Sequence, residues 1–259
     1  IIQFHKQISM RLINMKQYEV NTFDELCNII QSIHKKENRT LWYRGHANNS
    51  WEILPSIQRT NLLDKEHIIS HSFYHAATQI SIERIDYTAY DKWVAQMQHY
   101  GIPTRLLDWS YSPLTALYFA TTDRISIKDI DACIWILVPS KLNAMQDFGP
   151  YIYPIDSFTA LKMLKPAFSD KNLDNAVTDK ILACFSTNND LRMYSQRAAF
   201  TIHNTTNKLC NYNNILYKLN IPYNRIKYFK DILNTLGITD SYIFPDLEHI
   251  AKDVLLRYF

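Results

Sequence analysis

Gln96-Met97-Gln98-His99-Tyr100-Gly101-Ile102-Pro103-Thr104-Arg105-Leu106-Leu107-Asp108-Trp109 leads into Ser112-Pro113-Leu114-Thr115-Ala116-Leu117-Tyr118-Phe119-Ala120. The first part ends one apolar-periodic segment and the second begins another. Between them His, Arg, Asp and Trp fall close together, in what reads as a loop. Binding and catalytic groups concentrate on loops held by rigid elements, so this stretch is expected to form the floor of a site. Gly101 is placed to end the preceding helix, and Ser112-Pro113 to start the next.

The elements outward from this stretch mix without regular alternation. Thr22-Phe23-Asp24-Glu25 is a capping box, followed by Leu26, Ile30 and Ile33 at helical spacing. Leu41 to Gly45 is strand-like, and Trp51 to Ile57 reads as a second extended piece. Helices are expected from Asp64 to Ile80 and from Ile82 to Met97, and a buried strand from Cys133 to Val138. Residues 141–185 read as loops with one short helix, a candidate lid. Ser195 to His203, Ile215 to Asn220 and Ser241 to Phe244 read as extended, and helices follow Pro222 and Pro245. This pattern favours an α+β domain over a doubly wound parallel sheet. A single domain over residues 15–259 is expected, with residues 1–14 as an extension or tag-like segment.

Composition narrows the function classes. A hydrophobic share of 47% supports a buried core, and a net charge of +3 does not call for nucleic acid. Four glycines leave no glycine-rich phosphate loop. No apolar run is long enough to span a membrane. Cys27, Cys133, Cys184 and Cys210 form no C-x-x-C pair and read as buried thiols, so a cytoplasmic location is expected. His67, His71 and His75 recur every four residues, a metal spacing. No acidic or Cys partner accompanies them, so they read as a solvated helix face and no metal is assigned.

The residues also carry a family resemblance. Tyr43-Arg44-Gly45, Trp51, Leu54-Pro55-Ser56 and the long stretch from Gln98 to Ala120 resemble the FRG domain, whose signature is aromatic-Arg-Gly. Ser195 to Phe200, Gly237-Ile238 and Phe244 to Leu247 are similar to its later motifs, so the resemblance runs from about Phe23 to Leu256. A second resemblance is to ADP-ribosyltransferases. There a strand ending in aromatic-Arg-Gly, a strand carrying Ser ahead of a helix, and a strand carrying Glu or Gln follow in order. Tyr43-Arg44-Gly45, Asp108-Trp109-Ser110 and Gln196 keep that order, with a neutral amide in the third place. The resemblance implies a mixed, split sheet flanked by helices and an ADP-ribosyltransferase-like core.

It further implies a cleft for a nucleotide-type ligand, with NAD as candidate substrate and no required cofactor. Arg44, His99, Asp108 and Gln196 are the candidate catalytic residues. Tyr43, Arg44, Gly45, Arg105, Trp109 and Ser110 are the candidate binding residues. Each has a structural alternative: an internal ion pair for Arg44 with Asp108, a loop-shaping pair for Arg105, a helix cap for His99, core packing for Tyr43 and Trp109, a strand-end hydrogen bond for Gln196. The competing functional reading is a non-enzymatic module that senses a ligand or a protein partner.

Overall fold

The computed structural model describes residues 15–80, 84–122, 127, 129–169, 179–187, 191–212 and 214–258. Its strands are β1 (Lys16–Glu19), β2 (Trp42–His46), β3 (Leu106–Ser110), β4 (Ala132–Leu137), β5 (Tyr153–Pro154), β6 (Ile181–Phe185), β7 (Ala198–His203) and β8 (Leu216–Ile221). They form one mixed sheet in the order β1-β8-β4-β2-β3-β7-β6-β5. The outermost pairs at each edge, β1 with β8 and β5 with β6, are parallel, and the inner pairs are antiparallel. The chain is therefore α+β, as the irregular alternation of elements suggests.

The helices are α1 (Phe23–Glu37), α2 (Ser56–Arg59), α3 (Glu66–Ile80), α4 (Tyr90–His99), α5 (Pro113–Thr121), α6 (Pro139–Met145), α7 (Phe158–Leu164), α8 (Leu191–Ser195), α9 (Ile226–Thr235), α10 (Asp240–Ile243) and α11 (Leu247–Tyr258). The local causes are plain at α1. Thr22 and Glu25 complete a reciprocal capping box, and Asn38 ends the helix at φ 47°. Leu26 and Ile33 are buried, each contributing roughly 1.5–3 kcal/mol. At α5, Ser112 accepts from the Thr115 amide and Pro113 occupies the first turn.

Three apolar clusters surround the sheet. On one face, the β4-β2 half packs on α1, α5 and α9 through residues such as Leu26, Tyr43, Leu117 and Phe229. On the same face, the β3-β7 half packs on α4 and α7 through Trp93, Met97, Met163 and Phe200. The opposite face has one cluster running across both halves, with Trp42, Leu107, Trp109 and Trp135.

The sheet is nearly divided in the middle. β2 and β3 share one paired position, Tyr43 with Ser110, whereas β2 pairs with β4 over five positions.

Several expectations need correction. The stretch from Gln98 to Trp109 is not one loop: α4 ends at His99 and β3 begins at Leu106. The short run Leu-Leu-Asp-Trp-Ser has little periodicity of its own, and its strand state comes from pairing with β7. Residues 141–185 are no lid in their described part, because Pro139 opens α6, and Ile181–Phe185 is a buried strand. Trp51 to Pro55 has no strand pairing, and Ser56 starts a helix. Ser241 to Ile243 is helical rather than extended. The strand after Gln196 begins only at Ala198, since Arg197 adopts φ 48°. The expected helix from Ile82 is found from Tyr90. Residues 1–14, Ile82 and Asn188-Asn189-Asp190 lie outside the described residues.

Candidate functional site

Past the Tyr43–Ser110 pair, a continued ladder would set Gly45 opposite Asp108, and it does not form. That leaves the Asp108 carbonyl facing the gap. A backbone acceptor left out of the ladder takes another donor or water, and here a side chain supplies the donor. Arg44 NH1 donates to Asp108 O at 2.6 Å. Arg44 Nε donates to His46 Nε2 at 3.1 Å, from two positions along the same strand face. The Asp108 carboxylate lies 3.8 Å from NH1. Arg44 thus closes the seam and keeps part of its guanidinium fork beside it.

Asp108 stands on the helix side of the sheet, in register with Phe200. Burial pushes its carboxyl up, against opposing pulls from Arg44, its own backbone amide, Arg192 and Gln98. Yet 55% of its side-chain surface is open. Its side chain therefore packs beside Gln98 and Arg44 while remaining open to solvent on one side. Gln98 orients it: the Thr104 hydroxyl donates to Gln98 Oε1 at 2.9 Å, which turns the Gln98 amide nitrogen onto Asp108 Oδ1.

On the opposite face the seam is cationic. Burial first and then Arg44, with smaller pushes from Arg59 and Lys218, lower the His46 pKa to about 3. His46 is therefore neutral near pH 7. His203, also buried, falls to about 3 through desolvation first and then Arg44 and Arg105.

The remaining sequence-selected residues are distributed as follows. Tyr43 is core, and its hydroxyl lies 3.1 Å from His34 Nε2. Trp109 is core on the other face, donating to Thr201 Oγ1 at 3.1 Å. Buried on opposite faces, these two rings cannot sandwich one planar base. Gly45 lies directly under α5. Arg105 is buried in a bidentate pair with Glu66 (3.0 and 2.5 Å) and also donates to Asn204, so its alternative of a structural ion pair describes it, with Glu66 rather than Asp108 as partner. Ser110 donates to the Gln196 carbonyl at 2.6 Å, tying β3 to the turn before β7. Gln196 itself lies in that turn and donates to Ile243 O at 3.2 Å. His99 is exposed at the end of α4, its ring edge-on to Tyr100.

Of the four residues selected as catalytic, Arg44 and Asp108 meet. Three further contributors were not selected: Gln98, His46 and Arg59. His46 was legible as the second residue after Arg44, on the same face of a strand. Gln98 was visible only as the neighbour of His99, and nothing in the sequence marked Arg59. His71 and His75 are exposed and His67 half-buried, as a solvated helix face requires, and His71 Nε2 also lies 2.8 Å from Phe168 O. No cluster of three or more His, Cys, Asp or Glu suited to a metal occurs among the described residues.

Comparison with known families adds one finding. Residues 39–128 match the FRG domain family. The match holds Tyr43-Arg44-Gly45 and the whole Gln98 to Ala120 stretch; Gln196 and the later motifs lie beyond it. No curated protein and no solved structure matches the chain.

Proposed function

Because this chain carries an FRG domain at residues 39–128, with both of that domain's quoted motifs meeting at one seam, we propose that it binds a nucleotide-type ligand in the cleft beside β2 and β3. NAD is the candidate ligand, and an ADP-ribosyltransferase-like core is the finer fold reading that accompanies it. The observation that carries the proposal is Asp108, half open to solvent yet crowded by protein, next to an arginine with donors in reserve. A guanidinium fork suits phosphate oxygens, and an oriented carboxylate suits ribose hydroxyls. No helix among the described residues is long and apolar enough to cross a membrane.

A second reading, cleavage of the nicotinamide–ribose bond, is favoured by the raised carboxyl of Asp108, which suits acid–base work or stabilisation of a cationic sugar. Against turnover stands Gln196, a neutral amide engaged with Ile243. Calorimetry with NAD, ADP-ribose and AMP, paired with mass spectrometry for nicotinamide, tests both readings. Heat without nicotinamide assigns a sensing module; heat with nicotinamide assigns an enzyme. No heat from any of the three at millimolar ligand overturns the nucleotide reading.

A further inference from the structure

The sheet face carrying Arg44 holds a set of donors whose hydrogens have no taker. Arg44 has no acceptor atom, so its Nε–H must donate to His46 Nε2. The neutral His46 ring then carries its hydrogen on Nδ1. That atom is buried and has no hydrogen-bond partner among the described residues. The Trp51 backbone comes close enough to favour the protonated ring without completing a bond. Trp135 is in register with Arg44 on β4, so both stand on this face. Its indole Nε1–H, which can only donate, is also buried and unpartnered. His46 and Trp135 are each 5% exposed. Lys218 Nζ lies 4.9 Å from the Trp135 ring centroid. The charged groups acting on His46 are Arg44, Arg59 and Lys218, all cations.

Leaving a buried donor unmatched costs on the order of 1–3 kcal/mol. Two on one sheet face, with only cations among the charges acting on His46, suit an acceptor-only group. We propose that Arg44, His46 and Trp135 form a subsite for a phosphoryl group, lying on the opposite face of the seam from Asp108. The subsite goes beyond the nucleotide reading and does not depend on it, because it lies on the face away from Asp108 and free phosphate presents the oxygens it needs.

The test is a titration of the intact chain with inorganic phosphate, followed by side-chain N–H signals in nitrogen-15 spectra. The His46 Nδ1–H and Trp135 Nε1–H signals should move together and saturate. The Trp109 Nε1–H, already donated to Thr201, should stay put. Trp135→Phe should weaken phosphate binding about tenfold. If phosphate leaves both signals unmoved, or moves all three alike without saturating, the donors serve ordered water and the proposal is overturned, even where NAD binds. Saturable phosphate binding without NAD binding upholds the subsite and overturns only the nucleotide reading.

Discussion

Gly45→Ala is the sharpest test of how the seam is built. A Cβ at residue 45 would lie 1.9 Å from Ala116 O, 2.6 Å from Ala120 N and 2.9 Å from Ala116 C. All three are backbone atoms of α5, so no rotamer change relieves them. Restoring an ordinary separation of about 3.4 Å to the nearest atom requires α5 to retreat by roughly 1.5 Å. Such a shift loosens the packing of Ala116, Leu117 and Ala120 against the sheet. Overpacking usually costs about 1–3 kcal/mol, and a backbone-on-backbone clash belongs at the upper end. At ~2–4 °C per kcal/mol for a chain of this size, Tm should fall by about 6–12 °C. Thermal unfolding followed by circular dichroism measures it directly. The requirement is space rather than backbone conformation, since Gly45 is not among the residues at positive φ. A Tm within about 2 °C of the parent would refute the inference that this glycine exists to admit the helix.

Two other perturbations separate structure from function. Asp108→Asn keeps an acceptor for Gln98 and should change stability by less than about 1 kcal/mol, while weakening any ligand held through ribose hydroxyls; a large loss in denaturant stability would make Asp108 a structural residue. Its pH signature follows from burial. The folded carboxyl holds its proton to higher pH than the unfolded chain, so this residue's contribution to stability declines as pH rises through the folded pKa. Solvent access keeps the slope small, and the Asn variant should lack it; urea titrations at several pH values read the difference. Arg105→Met should behave oppositely, stranding the buried Glu66 carboxylate at a cost of about 3–5 kcal/mol. Chemical denaturation checks the cost, and a variant as stable as the parent would mean that Glu66 finds another partner.

Much of this was readable in the chain. The Thr22 capping box, the Ser112-Pro113 start and the left-handed ends at Gly101 and Gly237 are local chemistry, and each appears where the residues indicate. The buried strand at Ala132–Leu137 was visible as an unbroken apolar run. β3 was not, because five residues with an acid in the middle acquire their strand state from partners distant in sequence. On a loop, Asp108 and Trp109 could share one pocket; on a strand, neighbours point to opposite faces. For the site, Arg44 and Asp108 were legible as residue types, but the split that brings them together is a property of the whole sheet. Arg105 already read as a structural pair, but its partner Glu66, 39 residues away, was not legible, and that pairing separates it from the partly buried fork of Arg44.

The single bridge between β2 and β3 would make Arg44 an arbiter among any anions bound beside it, if it holds them as proposed. Its NH1 hydrogen bond to the Asp108 carbonyl does the work of the missing ladder rung. An anion that takes only the remaining N–H groups leaves the two half-sheets tied. One that demands the NH1 hydrogen already given to Asp108 would release a backbone carbonyl and loosen the seam. Under the proposed anion-binding role, ligands of equal charge would be sorted by whether they take that one hydrogen, and those that spare it would leave the sheet whole.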